Sequence, residues 1–108
     1  MSWKIEFFDR RVMKNIQEWP NGIRAKFSWI VELVKKFGSS EIGMPYVKSL
    51  GQGLFEIRAQ AHEGIGRALF CITNGKVVVV LSGFIKKTQK TPSQELALAK
   101  KRMKEVKK

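Results

Sequence analysis

Lys76-Val-Val-Val-Val-Leu-Ser-Gly-Phe-Ile-Lys-Lys-Thr-Gln-Lys-Thr-Pro92 is the stretch around which the rest of the chain is organised. Residues 77–81 are five consecutive apolar side chains, four of them β-branched, bounded by Asn74-Gly75 and Ser82-Gly83. A run that short, that branched and that continuous predicts a strand buried on both faces, hence a central one. It leads through Phe84 to Lys86, Lys87 and Lys90, so a rigid strand delivers an aromatic ring and several cations to the surface. That exit suits a phosphate-bearing ligand; taken alone it suits a solvated lysine loop equally well.

Upstream, Asn74-Gly75 between two apolar runs is the strongest short-range hairpin signal. It joins a strand over residues 66–73 to one over residues 76–85. Residues 54–60 alternate as a further strand. Residues 38–53, with Gly38, Pro45, Tyr46, Lys48 and Leu50, read as a Gly/Ser-containing connection. Before it lie two helices. Val12, Met13, Ile16 and Trp19 recur at helical spacing behind Asp9, a natural N-cap, and Trp19-Pro20-Asn21-Gly22 ends that helix. Ile23, Phe27, Ile30, Val31, Val34 and Phe37 line the second, which stops at Gly38. This hairpin covers one sheet face, and its aromatics are assigned to the core. Residues 3–8 alternate as a first strand, with Trp3, Ile5 and Phe7 on one side. Downstream, Thr91-Pro92-Ser93-Gln94 has the form of a capping box with proline at the first helical position. Leu96, Ala99, Met103 and Val106 then line a last helix otherwise rich in lysine. The order β-α-α-β-β-β-α predicts an α+β fold over residues 1–108 as one domain. A mostly antiparallel curved sheet packs on an N-terminal helical hairpin, with a C-terminal helix.

The formal charge is +12, from 21 Lys and Arg against 9 Asp and Glu. Residues 86–108 carry nine basic and two acidic residues, so the positive field is strongest at the C-terminal end. Such an excess favours polyanions: nucleic acid, the ribosome, an anionic surface or an acidic protein. No apolar stretch approaches the ~18 residues of a membrane span. Glu6 and Asp9 interrupt the N-terminal segment where a signal peptide needs an unbroken apolar core, which predicts a cytoplasmic protein. Cys71, the only cysteine, stands between Phe70 and Ile72 and reads as an inert buried thiol. There is no Cys/His cluster to suggest a metal, no phosphate-binding glycine loop and no nucleophile elbow.

Strand periodicity places Glu56, Arg58 and Gln60 opposite Phe55, Ile57 and Ala59, which must face the core. Arg67 on the next strand is expected near Arg58 or Glu56. The plain reading of that cluster is a cross-strand salt bridge on a solvated sheet face, worth only ~0.2–1 kcal/mol. His62, the only histidine, lies in a glycine-containing connection. It is the one side chain that ordinarily changes charge near neutrality, and equally an exposed residue at a loop tip.

The segments Lys48-Ser-Leu-Gly-Gln-Gly-Leu-Phe-Glu-Ile-Arg58, Gly66-Arg67-Ala-Leu-Phe70 and Leu81-Ser-Gly-Phe-Ile-Lys-Lys-Thr-Gln-Lys-Thr-Pro92 resemble the RelE/ParE toxin superfamily. They are most similar to its HigB-like, phage-derived branch. The order of elements agrees along the whole chain, the first 45 residues in pattern alone. The resemblance implies a toxin of a type II toxin–antitoxin system, acting as a ribosome-dependent mRNA endoribonuclease that inhibits translation. It also implies an antitoxin partner, a HigA-like helix-turn-helix protein encoded beside it. By the same resemblance Arg58 and Arg67 hold the scissile phosphate, and Lys48, Lys86 and Lys87 complete the cationic site. Phe84 offers a surface for a base; Lys90 and His62, read from their positions rather than from the resemblance, are assigned to RNA binding. The chain departs from many relatives in having no tyrosine or histidine after Phe84 to move protons.

The implied reaction needs no cofactor. The RNA's own 2′-hydroxyl is the nucleophile, and the protein must align it, stabilise the phosphorane and move two protons. Arginine suits the second task, since its planar fork binds phosphate bidentately and keeps its charge. Glu56 is the first candidate for the base, with a lysine of the cluster as the alternative. Two rival readings remain: a ParE-like toxin that poisons gyrase, and a basic protein that binds RNA without cutting it. Fold alone does not separate them.

Overall fold

The Asn74-Gly75 turn closes with both residues at positive φ, 49° and 80°. Asparagine and glycine are the residues that tolerate this region best. The computed structural model describes residues 3–86 and 92–107. In chain order these form β1 (Lys4–Phe7), α1 (Arg10–Gln17), α2 (Asn21–Phe37), α3 (Ser39–Ile42), β2 (Val47–Gly51), β3 (Leu54–Ala61), β4 (Gly64–Thr73), β5 (Val77–Lys86) and α4 (Ser93–Val106).

The five strands lie in the order β1-β5-β4-β3-β2. Only β1 and β5 run parallel; the other three pairs are antiparallel. The valine-rich strand is therefore interior and buried, as its sequence requires, but β4 holds the middle of the sheet. Against one face pack α1 and α2 through Val12, Ile16, Trp19, Ile23, Phe27, Ile30 and Val34, which meet Ile57, Ala59, Ala68, Phe70, Val78 and Val80. Asp9 accepts the Val12 N–H at 3.0 Å and caps α1 as expected.

Two glycines let these helices come close. A Cβ on Gly66 would lie 2.6 Å from Trp19 and Ile23 atoms, and one on Gly83 would lie 2.8 Å from Ile16. Neither space admits a methyl group. Beyond Val80, no strand among the described residues pairs with β5 on its β1 side, and side chains take the freed carbonyls. Arg102 donates to Leu81 O at 2.6 Å and Asn15 to Gly83 O at 2.8 Å. An edge that would otherwise pair with another chain is thereby closed from both layers.

Several expectations change. The stretch read as a connection holds the short helix α3 and a fifth strand, β2. That strand reads poorly because it is five residues long, ends in glycine and has a mostly exposed burial pattern. Its regularity comes from pairing with β3. The face of the sheet opposite the hairpin is not solvated. Here α4 lays Leu96, Ala99, Met103 and Val106 over Leu54, Leu69, Cys71, Val79 and Leu81, a second apolar cluster. Both Trp29 and Phe37 on α2 are exposed rather than core. Pro92 occupies the N-cap of α4, not its first helical position, and no side chain caps the helix there. Thr91, expected to cap it, lies outside the described residues.

Candidate functional site

Antiparallel register sets residues of neighbouring strands side by side on one face. Lys48 pairs with Glu56, and Glu56 with Leu69, which faces Ser82. In the next row Arg58 pairs with Arg67 and Arg67 with Phe84. One row further, Gln60 pairs with Ile65 and Ile65 with Lys86. Six residues singled out from sequence, Lys48, Glu56, Arg58, Arg67, Phe84 and Lys86, therefore share the sheet face that α4 partly covers.

Glu56 is 1% exposed and Arg67 2%. The Glu56 carboxylate stands between two guanidinium groups, with Oε2 3.5 Å from Arg67 Nη1 and Oε1 3.9 Å from Arg58 Nε. This corrects the solvated cross-strand pair expected from sequence. Both distances exceed the ~2.7–2.9 Å of a strong charge-assisted hydrogen bond, so these two contacts act mainly through charge. Arg58 keeps part of its side chain in solvent, as do Lys48, Phe84 and Lys86. Phe84 also packs against the α4-side cluster, which anchors its ring.

His62 is set apart. It occupies the two-residue turn between β3 and β4, its side chain is 87% exposed, and Nδ1 lies 3.8 Å from Glu63 Oε1. Glu63 has a structural task that the sequence did not reveal. Its Oε2 accepts the Gly22 N–H at 2.8 Å, at the start of α2, where Pro20 supplies no side-chain cap. That hydrogen bond, the largest cause, holds the Glu63 pKa below the usual carboxylate value. Cys71 is fully buried, and burial pushes its thiol up, as suits an inert residue. Lys87 and Lys90 lie outside the described residues. Among the described residues no three His, Cys, Asp or Glu side chains cluster as metal ligands would.

Sequence reasoning also passed over a group at the outer edge. Trp29 on α2 and Tyr46, just before β2, meet edge to face at 5.1 Å, with the Lys26 ammonium 4.8 Å from the first ring and 5.6 Å from the second. The signal was present. Trp29 falls outside the helical stripe formed by Ile23, Phe27, Ile30 and Val34, so an aromatic there does not belong to the core.

A family model described as "Phage derived protein Gp49-like" matches residues 14–104. The chain belongs to that family. The fold agrees with two solved structures. A free-state variant of the Escherichia coli toxin RelE matches with a TM-score of 0.66 at 19% identity, covering 95% of this chain and 99% of that one. The archaeal RelE–RelB complex from Pyrococcus horikoshii OT3 matches with a TM-score of 0.57 at 18% identity, covering 79% of this chain and 96% of that one. A search of curated proteins finds no match. This member of the Gp49-like family thus falls in the RelE/ParE superfamily, as the resemblance implied, and carries the RelE fold over nearly its whole length.

Proposed function

We propose that this Gp49-like protein is the toxin of a type II toxin–antitoxin pair and that it cleaves mRNA bound to the ribosome in the cytoplasm. One observation carries the reading: Arg58 and Arg67 are paired across β3 and β4, with Lys48, Phe84 and Lys86 on the same face. Convergent cations beside an aromatic ring fit an RNA phosphate and its base; a gyrase poison has no need of them.

In this mechanism the 2′-hydroxyl of a nucleotide attacks its own 3′-phosphate, and the 5′-oxygen of the next nucleotide leaves. Negative charge grows on the phosphate oxygens, where the Arg58 fork, which reaches solvent, stabilises it directly and the buried Arg67 adds its positive charge from beneath. Glu56, enclosed between the two guanidinium groups, is a positioning residue that fixes their forks. The proton of the 2′-hydroxyl passes to a group that reaches solvent, and Lys48 and Lys86 are the candidates on this face. Phe84 supports a neighbouring base by stacking. The chain has no histidine or tyrosine after Phe84 to protonate the leaving oxygen, so that proton comes from a lysine or from the ribosome.

The fold shared with the RelE of a RelE–RelB complex supports an antitoxin partner, in the HigA-like form a helix-turn-helix protein encoded beside this one. Expression of the chain alone in a bacterium should arrest growth, and co-expression of the neighbouring antitoxin should restore it. Pulse labelling should show protein synthesis falling before DNA synthesis. The reverse order would replace this reading with the gyrase one.

A further inference from the structure

Pairing between β2 and β3 ends at Val47 and Ile57, with one more hydrogen bond from Arg58 N–H to Tyr46 O at 2.8 Å. Beyond it the outer edge of β3 opens onto a cavity of about 260 Å³ lined by Lys26, Pro45, Tyr46, Arg58, Gln60 and Ile65. That is several times the ~30 Å³ share of one water and has room for a purine-sized ring. Among the described residues its lining carries two cations, Lys26 and Arg58, and no carboxylate. Beside it stands the Trp29–Tyr46 ring pair, with Trp29 46% exposed.

We propose that this cavity and ring pair form a base-stacking subsite for a nucleotide flanking the phosphate held at Arg58. The inference rests on the RNA reading above and extends it to a second nucleotide. Arg58 is the link, because it belongs to the phosphate cluster and also lines the cavity. An exposed tryptophan backed by a second ring offers a flat apolar surface, and every base has a face to lay on it. Lys26 now sits over both rings. An exposed cation–π contact is weaker than base–aromatic stacking, so an incoming base displaces the ammonium and leaves it beside the nucleotide's phosphate. The Gln60 amide, a donor and an acceptor, reaches the same space and can bond a base edge. The occupant must be single-stranded, since a paired base has no free face to offer.

The test titrates the whole protein with single-stranded hexaadenylate and with a duplex RNA hexamer at low salt. Anisotropy gives affinity and tryptophan emission reports stacking. Wild type is compared with Trp29→Ala, Tyr46→Leu, Arg58→Ala and, as a charge control on α4, Lys100→Ala; melting curves confirm folding. Trp29→Ala and Tyr46→Leu should each weaken single-strand binding about tenfold and leave the weaker duplex binding unchanged. Single strands should quench Trp29 emission, a change absent in Trp29→Ala. If both ring variants bind as wild type does, or wild type binds no single strand, the subsite is wrong. Loss in Arg58→Ala alone would then leave the phosphate assignment standing. Loss in the ring variants with none in Arg58→Ala would keep the subsite and overturn that assignment.

Discussion

Glu56 on β3 and Arg67 on β4 meet diagonally on one sheet face, with Oε2 3.5 Å from Nη1, and both side chains are almost wholly buried. Removing two charges from water costs several kcal/mol per ion, so the pair adds little net stability. Breaking it is another matter, because the survivor is left buried without its partner.

Arg67→Met should therefore destabilise the fold by up to about 3–5 kcal/mol, a large share of a typical domain's stability. The loss is tempered by Arg58, whose Nε stays 3.9 Å from the same carboxylate. Adding Glu56→Gln to Arg67→Met should recover part of the melting temperature. Urea unfolding of the two single variants and the double one gives the coupling directly. Additive losses would show that the two side chains do not interact. An alanine at position 67 thus cannot test catalysis unless folding is measured beside it.

Gly83→Ala and Gly66→Ala should each cost roughly 1–3 kcal/mol by overpacking. The added methyl would meet Ile16 in the first case and Trp19 and Ile23 in the second, at 2.9 Å or less. Thermal melting settles it. Gly75→Ala is the contrast: nothing lies within 4 Å of the added carbon, and any loss there comes from φ of +80° alone.

These glycines show what the sequence could disclose. Where a residue's role depends on its own strand or helix, the reading mostly held: valines at 77–80, the Asp9 cap, the stripe of α2 apart from the exposed Phe37, the Asn74-Gly75 turn, and the shared face of Glu56, Arg58 and Arg67; Pro92, one position off its expected place, is the exception. Where the role depends on what the fold brings up from elsewhere, it did not. Nothing in Leu54 or Cys71 announces that α4 will cover them, so the second sheet face was read as solvated. Val47–Gly51 became a strand only because β3 pairs with it. Glu63 is an unremarkable turn residue until Gly22, 41 positions earlier, is found donating to it. Trp29 was legible from helical phase, but its pairing with Tyr46 was not.

Glu63→Gln keeps an acceptor for the Gly22 N–H and removes the charge. The folded-state pKa of Glu63 is lowered from its ordinary 4.5. A lowered pKa means stability that is present above the unfolded value and lost as pH falls through the folded one. Wild type should accordingly melt above Glu63→Gln at neutral pH, and the gap should close as pH falls below about 4.5. A gap that does not narrow as pH falls would mean that shape, not charge, makes this cap.

Arg58→Ala is the cleanest test of cleavage. Arg58 borders the buried pair but keeps solvent contact, so its loss should disturb the fold less than that of Arg67. As a preorganised donor to the phosphorane it should be worth about 10²–10³ in rate. Ribosome binding draws on lysines over a chain of charge +12 and should fall only modestly with one cation gone. Lys100→Ala removes the same charge from an exposed position on α4 and should leave the cleavage step intact. Primer extension on ribosome-bound mRNA reads cleavage, and ribosome pelleting of the same proteins reads binding. A rate loss in Arg58→Ala far beyond its binding loss places Arg58 at the reacting phosphate. If both variants lose cleavage only in proportion to binding, Arg58 is one cation among many and the protein holds RNA by charge without cutting it.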